Sequence, residues 1–334
     1  MRHSRDEETT TLNSKISVSW TGRTLLDFLS TRFRYHTPSE WEALIQEGSV
    51  TLNGKGSSPG APLKKNDVVS YTVVLKEPPV DRDIIILHEE ETFLVACKPG
   101  NLPSHADGNF IKNTFFYILN EMLAGRGPGG RLRLVHRLDR ETSGLMVVTR
   151  DLAAHRDLAG QFEAGAVEKE YLALARGALR EESLLVEGAI AADDRSRISI
   201  RRRVVPDGTQ GASSSTTRLE VIERFRDATL ICCVPLTGRT NQIRVHLDHI
   251  GHPLMGDKLY GRTDDQFLEF VNRARAGNHE PPPWCDAPRQ MLHARRLSFR
   301  HPVNGAPLSF EAPVPDDMRR LMDSLRDAGA QYNS

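Results

Sequence analysis

Residues 134–148 read LVHRLDRETSGLMVV, in which the polar run HRLDRETSG separates two apolar stretches with the composition of buried strands. Thr142, Ser143 and Gly144 can turn the chain sharply, because the hydroxyls of Thr142 and Ser143 can satisfy free backbone groups. Loops that carry catalytic residues on a rigid sheet have this composition, and so do ordinary polar turns. The choice between the two interpretations depends on the rest of the chain.

Further strand-like runs lie on both sides of this segment: IIILH, FLVACK, EYLALARG, TRLEVIERF and ATLICCVPL. Helical periodicity appears in DLAAHRDLAGQFEAG, RTNQIRVHLDHIG and MRRLMDSLRD, with Thr240 as the expected N-cap of the second helix. Because strands outnumber helices without alternating regularly, residues 84–331 are predicted to form an α+β domain with a mixed, largely antiparallel sheet flanked by helices. Residues 276–288 read as a loop insertion.

The N-terminal part is predicted to be a separate small module over residues 16–75. Two short helices, the second opened by TPSE, precede the strands SVTLNGK and VVSYTVV. The charged, proline-rich run KEPPVDRD at residues 76–83 is expected to be a linker. Residues 1–15 are expected to be a disordered tail.

Composition excludes several classes of protein. The 334 residues carry 44 basic and 44 acidic side chains, which argues against non-specific coating of nucleic acid. No apolar run reaches the roughly eighteen residues that a membrane span needs, so no membrane partner is expected. Four cysteines give neither a disulfide framework nor a zinc site, which indicates a reducing, cytoplasmic setting and no metal.

Two basic runs form local patches of positive charge despite the balanced net charge. Residues 195–203, RSRISIRRR, hold five arginines and no acid, and residues 131–140 read RLRLVHRLDR. A solvated strand face explains either run alone. Two runs that flank a candidate site favour a polyanionic partner.

Three residues in separate segments are candidates for chemistry, each with an ordinary structural alternative. Asp139 lies in the polar loop, where it can be a turn-capping side chain. Arg244 lies beside the apolar stripe of its helix and requires an anionic partner if it is buried, although its stem can also reach solvent. Tyr171 alternates with Lys169 on the face of its strand opposite the leucines, as core filler or as a ring that stacks on a base.

Taken together and in order, these segments resemble the RluA-type pseudouridine synthases. HRLDRETSG resembles the catalytic loop of that family, KEY its tyrosine strand, and TGRTNQIRVHLDHIGHPLMGDKLYG its third motif. CKPGNLPSH and LHARRLSFRHPVNGAPLSFEAPVPDDM are similar to its flanking motifs, so that the resemblance covers residues 83–318. Two positions depart from the family pattern: Asn241 stands where histidine is usual, and Asn101 where glycine is usual.

The resemblance implies an enzyme that isomerises uridine to pseudouridine in structured RNA, either ribosomal or transfer RNA, without a cofactor and as a monomer. It implies Asp139 as nucleophile, Arg244 as the partner that favours its carboxylate form, and Tyr171 as a group that stacks on or deprotonates the uracil. It also implies that a further group of residues contacts RNA or substrate: His136, Arg137, Leu138, Lys169, Arg239 and Gln242. Residues 16–75 more loosely resemble the RNA-binding module of ribosomal small-subunit protein four.

Two other functions use the same residues. A non-catalytic RNA-binding or ribosome-assembly protein would have the same surfaces, although the presence of Asp139 argues against it. A glycoside-type hydrolase would pair Asp139 with Glu141, although neighbours in a tight loop rarely place two carboxylates across one substrate. A Ser-His-Asp triad from His136, Asp139 and Ser143 is disfavoured, because proximity in sequence is not triad geometry.

Overall fold

The structure, a computed structural model, describes residues 9–33, 36–74, 77–108, 110–125 and 131–330. The chain divides into two compact units. The first comprises residues 1–78 with 106–112, and the second comprises residues 79–105 with 113–334.

The first unit is a four-stranded antiparallel sheet with two helices. Its strands are β1 (Thr9–Lys15), β2 (Val50–Leu52), β3 (Lys55–Gly56) and β4 (Val68–Val74), in the order β1-β4-β2-β3. Its helices are α1 (Leu25–Arg32) and α2 (Pro38–Gln46), after a short 3-10 helix at Val18–Trp20. Trp41 and Phe28 lie at the centre of its core.

One prediction about this unit is wrong. Residues 9–15 do not belong to a disordered tail, because β1 pairs along its length with β4, from Thr9 opposite Val74 to Lys15 opposite Val68. Residues 1–8 lie outside the described residues. The two predicted helices are present, and Thr37 and Glu40 form a reciprocal capping box at the start of α2.

The second unit is built on one large sheet. Its strands are β5 (Ile85–Glu89), β6 (Phe93–Lys98), β7 (Arg133–Leu134), β8 (Ser143–Thr149), β9 (Glu168–Arg176), β10 (Ser183–Ala192), β11 (Arg202–Val205), β12 (Ser213–Arg224), β13 (Ala228–Pro235), β14 (Leu292–Arg300) and β15 (Pro307–Glu311). The order is β11-β10-β12-β13-β9-β14-β8-β6-β5, with β15 beside β14 and β7 beside β8. β14 and β8 run parallel, and the other pairs of described strands are antiparallel.

Helices cover both faces of this sheet, which explains why β8 is buried throughout. The helices are α3 (Phe115–Leu123), α4 (Leu152–Glu163), α5 (Gln242–His249), α6 (Asp264–Arg275) and α7 (Asp316–Ala330). Met146 and Val148 of β8 pack with α3, whereas Leu145 and Val147 pack with α4. α5 packs on the face of β9 that carries Ala173, and α7 packs on the opposite face.

A glycine sets the close approach of β14 to the end of the polar loop. Gly144 has a φ of +116°, and a Cβ atom there would lie 2.2 Å from the carbonyl oxygen of Ala294. Only glycine combines this backbone conformation with so close a neighbour. The loop before β8 is therefore fixed directly against β14, where Ser143 Oγ lies 3.0 Å from His293 Nδ1.

The α+β fold with a mixed, largely antiparallel sheet is confirmed. Helices α3 and α6 and strands β10, β14 and β15 were not predicted as elements. The N-cap of α5 is Asn241 and not Thr240, because Asn241 takes a left-handed conformation with φ of +57°. Among the described residues, no helix is both long and apolar enough to cross a membrane.

Candidate active site

A cavity of about 430 Å³ opens in the second unit between the β7–β8 loop, β9 and the start of α5. This volume is within the range of roughly 300–1,000 Å³ that is usual for small-ligand pockets. All the residues predicted to act on or contact substrate line it: His136, Arg137, Leu138, Asp139, Lys169, Tyr171, Arg239, Gln242 and Arg244. Residues from three distant segments therefore meet at one pocket.

Asp139 and Arg244 form an ion pair in this cavity. Arg244 Nη1 donates to Asp139 Oδ2 at 2.9 Å. The side chain of Asp139 is 33% exposed, whereas that of Arg244 is 12% exposed. Asp139 Oδ1 accepts no hydrogen bond from any described residue, so this oxygen is available to a ligand. The predicted anionic partner of Arg244 is thus a side chain.

A second carboxylate, which was not predicted, binds the other edge of the same guanidinium. Asp257 is fully buried and accepts from Arg244 Nε at 2.7 Å and from Nη2 at 3.0 Å. Burial opposes the charge of Asp257, but the Arg244 guanidinium and two backbone N–H groups outweigh it and lower the pKa of this carboxyl. Asp257 therefore holds Arg244 in place while Arg244 faces Asp139.

Two further contacts complete the surroundings of Arg244. Its guanidinium lies over the ring of Tyr260, 4.9 Å from the centroid. Its Nη1 also donates to Asn241 Oδ1 at 3.1 Å, and Asn241 Nδ2 donates to the Tyr260 hydroxyl at 3.3 Å. The departure at Asn241 thus contributes directly to the position of Arg244, since asparagine tolerates the left-handed backbone there.

Tyr171 is half-buried on β9, between the clusters under α3 and α5. Burial raises the pKa of Tyr171, and the negative charge of Asp139 raises it further. Both effects disfavour the phenolate. The side chain therefore presents a neutral aromatic ring to the cavity.

The cavity is also lined by His136, Lys169 and Phe162. The rings of His136 and Phe162 stack, with centroids 4.5 Å apart and an interplanar angle of 19°. His136 Nε2 accepts the backbone N–H of Val147 at 3.1 Å. Phe162 lies at the end of α4 and was not predicted, because an aromatic residue on an amphipathic helix usually indicates core packing.

The remaining predicted residues divide into two kinds. Arg137 and Arg239 are exposed at the cavity, and within the described residues the side chain of Arg239 donates one hydrogen bond, from Nε to the carbonyl of Ser214. Leu138 is buried, and its backbone bonds to Ser104 Oγ. Gln242 is buried, and both ends of its amide bond within the protein. These hydrogen bonds position the loop before α5, and the contact of Gln242 with substrate stays a prediction.

Buried lysines hold the polar loop from two sides. Lys98 Nζ donates to three carbonyl oxygens, one of them that of Arg140 at 3.1 Å, and burial lowers the pKa of Lys98 to about 7. Lys258 Nζ donates to Glu141 Oε2 at 2.9 Å. Glu141 is therefore paired within the protein and does not line the cavity, which excludes the paired-carboxylate hydrolase arrangement. The departure at Asn101 is accommodated by a left-handed φ of +53°.

The arginine run at residues 195–203 gives little support for a polyanionic partner. Arg195 pairs with Asp193, Arg197 with Asp265, Arg201 with Asp264 and Arg203 with Asp194. Most of its charge is therefore balanced within the protein. Among the described residues, no group of histidine, cysteine, aspartate and glutamate side chains is arranged to hold a metal ion.

Comparisons with known proteins identify the family of this chain. A family model described as RNA pseudouridylate synthase matches residues 92–249. The ribosomal large subunit pseudouridine synthase D of Xanthomonas campestris pv. campestris is 36% identical over 313 residues, covering 88% of this chain and 85% of that protein. The ribosomal large subunit pseudouridine synthase C of Escherichia coli K12 is 31% identical over 325 residues, covering 94% and 96%.

A solved structure gives the same assignment. The human protein named RNA Pseudouridylate Synthase Domain Containing 4 matches with a TM-score of 0.55 and 25% identity, over 72% of this chain and 93% of that one. The fold and the sequence matches together define an RNA-modifying isomerase. The chain belongs to the RluA-type family of RNA pseudouridine synthases.

Proposed function

We propose that this enzyme isomerises a uridine of large-subunit ribosomal RNA to pseudouridine, with Asp139 as the nucleophile. The observation that carries the proposal is the Asp139–Arg244 pair, which leaves one carboxylate oxygen open to the cavity. Ribosomal RNA is favoured over transfer RNA, because the two bacterial relatives described above are named for the large ribosomal subunit. We place the activity in the cytoplasm, where that RNA is made in bacteria.

The reaction breaks the bond from uracil N1 to the anomeric carbon, rotates the base and joins C5 to the same carbon. C5 loses its proton and N1 gains one, so no electron carrier is required. Asp139 Oδ1, which has no hydrogen-bond partner among the described residues, attacks the anomeric carbon. Arg244 stays fixed by Asp257 and holds the carboxylate in register.

We assign Tyr171 to stacking and not to proton removal. Its raised pKa makes the phenolate costly, whereas its ring is available to the cavity. Base–aromatic stacking is worth about 1–3 kcal/mol for each base. A neutral tyrosine can thus hold the free uracil while it rotates.

The substrate uridine must leave its helix to reach the cavity. Arg137 is exposed beside Asp139 and makes no ion pair or hydrogen bond to the described part of the protein, so it is suited to enter the space that the base leaves. The N-terminal module is assigned to RNA affinity, and residues 84–331 to catalysis by a monomer. None of the proposed catalytic residues lies in the module.

Mapping pseudouridines in total RNA from cells with and without the gene tests the substrate. We expect pseudouridine to disappear at one or a few positions of large-subunit ribosomal RNA and to return with the wild-type gene but not with Asp139→Asn. The variant keeps the size of the side chain, and its RNA affinity serves as the folding control. Loss confined to transfer RNA would contradict the substrate, and restoration by Asp139→Asn would contradict the nucleophile.

A further inference from the structure

The protein fixes which nitrogen of the His136 ring accepts a hydrogen bond and which one donates. His136 Nε2 accepts the backbone N–H of Val147 at 3.1 Å, so Nε2 carries no proton. The proton of the neutral ring is therefore on Nδ1, an assignment that follows from the donor on Val147. The stack on Phe162 holds the ring in this orientation.

The Nδ1–H group is unused by the protein. It has no hydrogen-bond partner among the described residues. It is also absent from the set of fully buried polar atoms without a partner, so it is accessible. Since His136 lines the cavity, this donor is open to a ligand there. Burial lowers the pKa of His136 to about 3, and the charge of Lys169 acts in the same direction, so the ring stays neutral at physiological pH.

The donor and the nucleophile are held by different elements that line the cavity. His136 stacks on Phe162 of α4, whereas Asp139 pairs with Arg244 of α5. If Asp139 meets the anomeric carbon, uracil N1 lies at the Asp139 end. C4 is directly across the ring from N1, so O4 is the uracil oxygen that reaches the other end.

We infer that Nδ1–H of His136 donates a hydrogen bond to O4 of the flipped uracil and so selects uridine over cytidine. The inference rests on the function proposed above. Cytosine carries an amino group at C4, which would place a donor against a donor. A site whose polar group bonds the substrate discriminates against an analogue that leaves this group of the site unpaired.

The same contact serves both substrate and product. Pseudouridine formation turns the base about the axis through N3 and C6, which exchanges N1 with C5 and O2 with O4. After rotation, a carbonyl oxygen occupies the place that O4 left, and the fixed donor meets O2. His136 keeps its proton throughout and takes no part in proton transfer, so the ring can be neutral and immobile.

The test measures binding separately from turnover. Asp139→Asn protein would be titrated with short synthetic RNAs that span the uridine identified by mapping and differ only at that nucleotide, which is uridine, cytidine or pseudouridine. His136→Gln is then added, because the glutamine oxygen can still accept from Val147 while nothing replaces Nδ1–H. We expect affinity for the uridine and pseudouridine RNAs to fall about tenfold, the value of one hydrogen bond, with cytidine RNA unchanged.

Phe162→Leu is the matched control, since it loosens the stack and keeps the donor. It should weaken all three RNAs together and preserve the preference for uridine. The inference is overturned if His136→Gln leaves the uridine-to-cytidine ratio intact, or if Phe162→Leu abolishes the ratio equally.

A second measurement does not depend on the folding of the His136 variant. An RNA with pyrimidin-2-one at the target, which lacks O4, should bind the Asp139→Asn protein about tenfold more weakly than uridine RNA. Equal binding would overturn the inference. Wild-type protein is assayed for product on the uridine RNA in parallel. If the wild-type protein forms no product although binding still distinguishes uridine from cytidine RNA, the proposed function is refuted. If product forms but His136→Gln leaves the uridine-to-cytidine binding ratio unaltered, only the role of His136 is refuted.

Discussion

Replacing Arg244 by alanine separates the two carboxylates that this arginine binds. Asp257 is fully buried, so Arg244→Ala leaves an uncompensated charge in the interior. Breaking a buried pair by removing one partner typically costs about 3–5 kcal/mol. Asp139 is 33% exposed, and solvent screens its charge, so its share of the loss is about 0–1 kcal/mol.

A double-mutant cycle measures this asymmetry. In Arg244→Ala with Asp257→Asn, the stranded charge is gone, and the amide oxygen can still accept from the backbone N–H groups of Leu259 and Tyr260. We expect the second substitution to recover about 2–3 kcal/mol of the loss, within the range of measured couplings. In Arg244→Ala with Asp139→Asn, the two effects should add within about 0.5 kcal/mol.

Urea unfolding of the three single variants, the two double variants and the wild type, followed by circular dichroism, gives the free energies of unfolding. All of the variants except Asp257→Asn should be inactive in a tritium-release assay, so stability and activity are read separately. Coupling of Arg244 to Asp139 as strong as its coupling to Asp257 would refute the division of roles. So would additive behaviour of the Asp257 pair.

Three further outcomes are expected. Tyr171→Phe should keep product formation within about tenfold of wild type, whereas Tyr171→Leu should lose about tenfold to a hundredfold, because the ring and not the hydroxyl acts; equal losses would contradict stacking. Arg289→Ala should lower kcat with little change in KM, because Arg289 positions the polar loop. Its Nη1 donates to the Glu141 carbonyl at 3.0 Å, while its other edge pairs with Asp317 of α7. An unchanged kcat would contradict this positioning role. The free energy of unfolding should fall from pH 6.5 toward pH 4.5, by up to about 1.4 kcal/mol per pH unit for each histidine that is buried neutral. These histidines have lowered pKa values in the folded chain, so they take up protons only on unfolding. A flat profile would contradict their burial as neutral rings. The histidines are His136, His246 and His293, with pKa values of about 3, 4 and 4.

The sequence was sufficient to predict those parts of the site that have a recognisable local pattern of residues. The polar loop, the tyrosine strand and the helix of Arg244 were each identifiable from composition and order, and their residues meet at one cavity. Asp257 was not identifiable, because an aspartate in a Gly-Asp-Lys turn has many ordinary uses. Only the folding of that turn against α5 makes it a ligand of Arg244.

Non-local pairing explains the other errors. β1 lacks a strong apolar pattern, and its strand conformation depends on hydrogen bonds to β4, which is far along the chain. Threonine and asparagine both cap helices, so local propensity does not decide between Thr240 and Asn241. Asn241 occupies the N-cap, and its left-handed backbone lets its side chain bridge Arg244 and Tyr260. At both sites, a tertiary contact decides what the local pattern leaves open.

Two carboxylates around one guanidinium also have a consequence for the proposed reaction. Before attack, Asp139, Asp257 and Arg244 carry a net charge of −1. When Asp139 forms its bond to the anomeric carbon, it becomes a neutral ester, while the uracil leaves as an anion. Arg244 loses one partner but stays paired with the buried carboxylate of Asp257, so its guanidinium does not move with the leaving base. The negative charge then moves from Asp139 to the uracil without any rearrangement of the fixed cation, which is the condition for preorganised electrostatic stabilisation. A site with Asp139 as the sole partner of Arg244 would leave that guanidinium unpaired at the same step.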